Sequence, residues 1–339
     1  LIIWITGASG SGKTSLAEAL VKKLRNWIIL DGDEMRDSIS VGAGFDEKER
    51  TEHNLRVARL AKVLEKQGTN IFVSVIAPFP DLREKVDLIC SPKWVCLKGT
   101  HEDKPYNNPY IQPANASLYL GLNMTVEEKV ESVIENLRLF NVYVFGLPRS
   151  GTSMTTHVCE LLGVKMVHTS EEEENKKRGD KNYKKNFGEY HPNKTGFFEV
   201  TKNFFTNYEE IHETPFSGCK MIVPVTQQRF DAVLHTPCKV ILTWRDPEEI
   251  RQSQMAYYRR GQNVDIGIIR TQLVEQKISL ESHKIPVHVA DYNKLLKNPD
   301  EEIQAIADFI KSPNSIDKAV EFVNPKQNRF KKEELVDGI

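Results

Sequence analysis

Residues 1–20 read LIIWITGASGSGKTSLAEAL: a short apolar run, a turn built from Gly and Ser, and then an amphipathic start. A strand-sized run that turns directly into a helix pattern opens a βαβ unit. The turn fits G-x-x-x-x-G-K-[ST] and stands between strand and helix, the context its chemistry requires. In that geometry Gly10 and Gly12 let the backbone approach phosphates, amides at the helix start point inward, Lys13 neutralises terminal phosphate charge, and Thr14 is placed to ligate magnesium. A merely tight turn has no need of Lys followed by Thr.

Working outward, the same alternation continues. KTSLAEALVKKL reads as a helix, WIIL as a strand, ERTEHNLRVARLAKVLEKQ as a helix, and NIFVSVIAPF and KWVCL as strands. Short apolar runs separated by helix-sized periodic segments predict a mainly parallel sheet. The period then fails across KGTHEDKPYNNPYIQPANAS, read here as a loop, before TVEEKVESVIENLRLF resumes as a helix opened by a Thr-Glu capping box. The first domain is expected to span 1–138.

A second domain, 139–339, begins with NVYVFGL and the turn PRSGTS. KVILTW and IPVHVA are further strands, and PDEEIQAIADFI is a helix. The mixed-charge stretch 171–196 reads as a surface excursion or a substrate flap. The fold class expected is α/β, with two P-loop-type three-layer α/β/α domains, each around a mainly parallel sheet. SGKTS and SGTS are the one internal echo, and two examples make no repeat architecture.

Composition bounds the function. The chain has 339 residues, 40% hydrophobic and 27% charged, with a formal net charge of −1. That suffices for two cores and gives no basic field for nucleic acid, so no nucleic-acid partner is expected. Five cysteines without C-x-x-C spacing argue against a zinc site and a disulfide framework. No apolar run is long enough to span a bilayer. The expected location is cytoplasmic, and a homodimer is left open.

The first loop is followed by LDGDEMRDS, which puts Asp31 and Asp33 at a strand's C-terminal end beside the phosphate loop, where α/β sheets bind ligands. One of them can take a proton from an attacking hydroxyl or hold magnesium through water, and Arg36 suits a second anion. In the second loop, amides and hydroxyls around Ser150, Gly151, Thr152 and Ser153 form an anion nest with Arg149 as its charge. This nest suits a terminal monophosphate, because no Lys-Thr pair accompanies it.

GASGSGKTSLAEAL, LDGDEMRDS, GFDEKERTEHNLRVARLAK and SVIAPFPDLR stand in the order and spacing of adenylylsulfate kinases, and the resemblance covers residues 1 to about 138. Such enzymes phosphorylate the 3′-hydroxyl of adenosine 5′-phosphosulfate (APS) with ATP and Mg2+ to give 3′-phosphoadenosine 5′-phosphosulfate (PAPS). The resemblance implies an ATP-binding set of Gly7, Ser9, Gly10, Ser11, Gly12, Lys13, Thr14 and Ser15, and an APS-binding set of Asp33, Arg36, Phe45, Arg50, His53 and Ile76. Lys13 and Asp33 would be catalytic, Asp33 facing the 3′-hydroxyl. The chain departs from the family in three segments. The family's Glu-Asn-Ile-Arg-Arg reads Glu52-His53-Asn54-Leu55-Arg56, its Ser-Pro pair reads Ala77-Pro78, and its long basic lid shrinks to the stretch around KGTHEDKPYNNPYIQP.

The second loop resembles the 5′-phosphosulfate loop of PAPS-dependent sulfotransferases, with Arg in place of the usual Lys. WRDPEEIRQS resembles their 3′-phosphate segment, and VADYNKLLKNPDEEIQAIADFI their closing strand and helix. This implies PAPS as co-substrate, held by Arg149, Ser150, Gly151, Thr152, Ser153, Arg245 and Ser253. Glu199 in NKTGFFEV is the candidate base, ahead of His157 and His191. Lys220 in GCKMIVP, expected at a strand edge, is the candidate for polarising the bridging oxygen. The basic NPKQNRFKK is a candidate to close over the 3′-phosphate.

The partners expected are small nucleotides and an unidentified sulfate acceptor. Two other readings are a kinase of a different small acceptor beside an independent sulfotransferase, and a lidless nucleotide-sensing domain regulating the sulfotransferase.

Overall fold

The computed structural model describes residues 1–99, 110–167, 211–222, 236–258 and 265–323. The chain forms two compact units, Leu1–Leu139 and Phe140–Ile339.

In the first unit the strands are β1 (Ile2–Gly7), β2 (Trp27–Asp31), β3 (Asn70–Ser74), β4 (Lys93–Leu97) and β5 (Leu118–Leu120), in the order β2-β3-β1-β4-β5. Every pairing is parallel. β1 is buried at all six positions, as a strand covered by helices on both faces must be. The helices are α1 (Lys13–Lys23), α2 (Gly32–Ser38), α3 (Glu47–Lys66), α4 (Pro80–Cys90) and α5 (Val126–Asn136). α4 starts on Pro80, whose fixed φ suits a first helical residue, and α5 carries a complete capping box between Thr125 and Glu128. The core stacks Trp27 on Phe72 at 4.3 Å and sets Trp4 against Trp94 at 5.3 Å. The Trp4 indole donates to Val75 O at 2.9 Å, so its polar edge is satisfied inside.

The second unit has β6 (Asn141–Gly146), β7 (Lys165–Met166), β8 (Ser217–Ile222), β9 (Cys238–Trp244) and β10 (Val287–Asp291), in the order β10-β9-β6-β8-β7, again all parallel. Its described helices are α6 (Thr152–Leu161), α7 (Pro247–Tyr258), α8 (Ile266–Ser282), α9 (Tyr292–Lys297), α10 (Pro299–Ile310) and α11 (Asp317–Phe322). At the strand starts Asn141 is a buried tie. Its Nδ2 donates to Ile211 O at 2.8 Å and to Ser217 Oγ at 3.1 Å, and its Oδ1 accepts from Thr236 Oγ1 at 3.0 Å.

Both sheets thus place a loop-bearing strand, β1 or β6, at the centre, with the C-terminal strand ends forming one edge. One expectation is corrected. Lys220 lies inside β8, opposite Val144 of β6, and not at the strand's end. Between the stretch KGTHEDKPYNNPYIQPANAS and α5 lies the short strand β5, which the sequence reading left unassigned. It was missed because three residues, LYL, give too short a pattern to register as a period.

Candidate active sites

The two loops after β1 and β6 are built alike. Gly12 and Gly151 cap α1 and α6 in the left-handed region, at φ 88° and 102°. A Cβ on Gly7 would lie 2.6 Å from Ser11 Oγ, and one on Gly146 would lie 2.7 Å from Ser150 Oγ. In each loop, therefore, a serine hydroxyl four residues on occupies the space that a strand-end glycine leaves. Ser11 Oγ and Ser150 Oγ are buried with no hydrogen-bond partner among the described residues. The echo of SGKTS and SGTS in the sequence is a shared backbone construction.

They differ in their charged groups. In the first loop Lys13 folds onto the loop's own backbone, donating to Ala8 O at 2.9 Å and Gly7 O at 3.3 Å. Burial pulls its pKa down to about 8, with Asp31 and Asp33 opposing the shift. Thr14 Oγ1 donates to Asp31 Oδ2 at 2.7 Å and lies 3.3 Å from Ser74 Oγ, while Asp31 Oδ1 accepts the Asp33 amide at 3.0 Å. A hydroxyl and a carboxylate in contact at the end of a phosphate loop form a hard-oxygen pair that fits magnesium. Asp33 lies exposed in the first turn of α2.

Beside this loop Arg36 and Arg50 frame Phe45. Their guanidinium carbons lie 4.4 Å and 5.4 Å from its ring centre, and the ring is 68% exposed. Arg36 donates to Ala43 O and Gly44 O, and Arg50 Nε donates to Phe45 O at 2.6 Å, so backbone carbonyls fix both cations. His53, on the buried face of α3, is 1% exposed, and neither ring nitrogen has a partner among the described residues. Burial, with Arg36 and Arg56 nearby, pushes its pKa down to about 4 and keeps the ring neutral. Ile76 follows β3, half-buried.

Sequence reasoning missed Tyr110, which it assigned to an irregular loop. Its hydroxyl lies 3.4 Å from Thr6 Oγ1 and 3.6 Å from Cys96 Sγ, and the next residue, Ile111, donates to Pro78 O. This ties the chain after residue 109 to β1 and to the Ala77-Pro78 turn. Residues 100–109 of the lid stretch lie outside the described residues.

In the second unit Lys220 is 4% exposed and its Nζ donates to Ser153 Oγ at 3.1 Å, which puts the cation at the anion nest. Arg149 holds φ 73°, and its Nε donates to Ser253 Oγ at 3.2 Å. Arg245 NH1 donates to Arg149 O at 3.3 Å, and its Nε donates to Glu249 Oε2 at 2.9 Å. The residues expected at opposite ends of one nucleotide, Arg149 and Ser253, are in direct contact. Tyr292, another residue the sequence reading passed over, lies between the loop and this arginine. The Arg245 guanidinium carbon lies 4.6 Å from the ring centre, and a Cβ on Gly151 would meet the ring at 2.2 Å. Its position at the C-terminal end of β10, the ligand-binding edge, was the available signal.

His157 is paired with Glu160 Oε2 at 2.9 Å and packed on Phe322 at 4.4 Å. Glu199, His191, the 171–196 stretch and 324–332 lie outside the described residues. Among the described residues no group of His, Cys, Asp or Glu is arranged to hold a metal by itself, and no helix is long and apolar enough to cross a membrane.

Comparison with known proteins matches residues 1–96 to the adenylylsulphate kinase family model and residues 140–338 to the sulfotransferase domain model. An adenylyl-sulfate kinase from Gloeothece citriformis is 39% identical over 162 residues, covering 40% of this chain and 92% of its own length. One chain holds an adenylylsulfate kinase domain and a sulfotransferase domain. A probable adenylyl-sulfate kinase from Archaeoglobus fulgidus is 45% identical over 87 residues, covering 24% of this chain and 56% of its own length. A mouse sulfotransferase solved in complex with PAP is 16% identical, covering 56% of this chain and 64% of that one with a TM-score of 0.36. Both domains belong to transferase families.

Proposed function

We propose that the first domain, 1–138, phosphorylates the 3′-hydroxyl of APS with ATP and Mg2+ to give PAPS, and that the second, 139–339, transfers the sulfuryl group of PAPS to an acceptor hydroxyl or amine. The loop Gly7 to Ser15, with Ser9, Gly10, Ser11 and Gly12, takes the ATP phosphates through its amides. Lys13 leaves its carbonyl partners for phosphate charge. Thr14 and Asp31 would hold magnesium, with Asp33 as the alternative ligand through water; the ion neutralises phosphate charge. Asp33 takes the proton as the 3′-oxygen attacks the γ-phosphorus of ATP, and the bond from that phosphorus to the β–γ bridging oxygen breaks to release ADP. Phe45 and Ile76 carry the adenine of APS, Arg36 and Arg50 its phosphosulfate end, and His53 adds a neutral polar contact.

In the second domain the amides and hydroxyls of Ser150, Gly151, Thr152 and Ser153 receive the 5′-phosphosulfate together with Arg149. Arg245 and Ser253 receive the 3′-phosphate. The acceptor oxygen attacks sulfur, Glu199 takes its proton, and the bond from sulfur to the bridging oxygen breaks. Lys220 offsets the negative charge that develops on that oxygen. Five cysteines held as thiols support a reducing compartment, hence a cytoplasmic location.

The observation that carries this reading is the contrast between two loops of one construction. The first has Lys13 and the Thr14–Asp31 pair that a triphosphate with magnesium requires, and the second has in their place Lys220 on Ser153 and Arg245 beside Arg149. Mass spectrometry of products from APS plus ATP, repeated with sugars, lipids and phenols as acceptors, tests it. ATP turnover on another acceptor with no 3′-phosphorylation of APS would rule it out.

A further inference from the structure

Arg245 is 5% exposed, and a guanidinium this deep needs a counter-charge. In the structure Glu249, one helical turn on, supplies one. Glu249 Oε2 accepts from Arg245 Nε at 2.9 Å and from Asn293 Nδ2 at 3.3 Å, and its Oε1 accepts from Asn293 at 3.4 Å. The orientation of Arg245 has other supports: NH1 is bonded to Arg149 O, and the guanidinium lies over the Tyr292 ring. What Glu249 adds is mainly negative charge.

We infer that Glu249 stands in for the 3′-phosphate of the nucleotide. It neutralises Arg245 in the ligand-free protein and competes for it when a 3′-phosphate arrives. This inference rests on reading the second domain as a PAPS site. A 3′-phosphate is present in both PAPS and the product PAP, so its contacts tighten both equally and hold the product as firmly as the substrate. A resident carboxylate lowers that shared affinity, because the incoming dianion meets an arginine whose charge a carboxylate already offsets. A nucleotide with a 3′-hydroxyl, such as APS, carries no charge to compete with Glu249 and gains nothing from Arg245.

The test is calorimetric titration of adenosine 3′,5′-bisphosphate and adenosine 5′-monophosphate into the full chain carrying Lys13→Ala and Arg36→Ala, which silence the first domain. Adding Glu249→Gln keeps an oxygen that can accept from Arg245 and removes the charge. We expect it to tighten the bisphosphate about tenfold, the scale of one charge-assisted interaction, and to leave the monophosphate unchanged. The ligand-free melting temperature falls and the bisphosphate-induced rise grows. Glu249→Asp, which keeps the charge on a shorter arm, gives a smaller gain of the same sign and decides the matter if the glutamine variant does not fold. Unchanged or weaker bisphosphate binding in both variants, or equal changes for both nucleotides, overturns the inference and makes Glu249 an orienting residue. Equal binding of the two nucleotides by the parent protein overturns the PAPS reading, and this inference with it.

Discussion

Gly151→Ala is the sharpest single perturbation of the second site. Gly151 sits at φ 102°, where an L-residue costs roughly 1–2 kcal/mol. Its new Cβ would stand 2.2 Å from Tyr292 Cδ2, 2.8 Å from Cε2 and 3.0 Å from Cγ, so the ring must retreat by about an ångström or more. Forcing a packed ring aside adds about 1–3 kcal/mol, for a total of roughly 2–5 kcal/mol against the second domain. At about 2–4 °C per kcal/mol for a domain of this size, its unfolding temperature should fall by roughly 4–20 °C. Function should suffer more than stability, because Tyr292 supports Arg245 and a misplacement of this size near a reacting group costs on the order of 100-fold. The assay follows the two half-reactions separately at a temperature where both domains are folded. Sulfuryl transfer should fall about 100-fold while phosphorylation of APS stays within twofold. Gly12→Ala is the control for the backbone term: no atom lies within 4 Å of its Cβ, so it meets only the φ penalty. A Gly151→Ala protein with transfer within about threefold of the parent would refute the argument that Tyr292 couples the anion loop to Arg245.

Three further outcomes follow from the same contacts. Lys13, with its pKa lowered to about 8, loses charge as pH rises through that value, and nucleotide phosphates raise it again; ATP binding between pH 8 and 9 should therefore take up protons. Calorimetry in buffers of different ionisation enthalpy reads this uptake, and its absence would contradict the buried-lysine account. For folding the sign runs the other way, since burying the charged form costs stability at pH below about 8 and that cost disappears above 10.5. His53→Leu should leave the melting temperature unchanged or higher, because it removes two unpartnered buried nitrogens, while raising KM for APS about tenfold; a lower melting temperature with unchanged KM would make His53 a packing residue. Asn141→Ala should destabilise the second domain by about 2–4 kcal/mol in chemical denaturation, since it removes the buried hydrogen bonds to Ile211 O, Ser217 Oγ and Thr236 Oγ1 together, and should leave the first domain's transition in place.

The parallel sheets and their loop-bearing strands were legible because each signal is local: a buried run, a glycine turn, a helix start. Charge placement was less legible, because it depends on residues far apart in the chain. Lys220 looked like a strand-edge lysine, since GCKMIVP alone does not show that it falls inside β8 beside β6; only the fold delivers Nζ to Ser153, 67 positions earlier. Tyr292 meets Gly151 across the sheet edge, a contact that no spacing rule records. Glu249 is one of two acids in the first turn of α7, and only the burial of Arg245 gives it meaning. Tyr110 was hidden in a stretch with no period, where a single buried phenol leaves no pattern.

The most direct test of the whole account follows 35S-labelled APS through the parent chain, Asp33→Asn and Lys220→Met, with ATP, magnesium and an acceptor panel. The parent should form PAPS and pass its label to one acceptor. Asp33→Asn should leave APS unconverted, and Lys220→Met should accumulate PAPS without transferring label. If the parent makes no PAPS, or if Lys220→Met transfers sulfate at the parent's rate, the claim that one chain makes and then uses PAPS is contradicted.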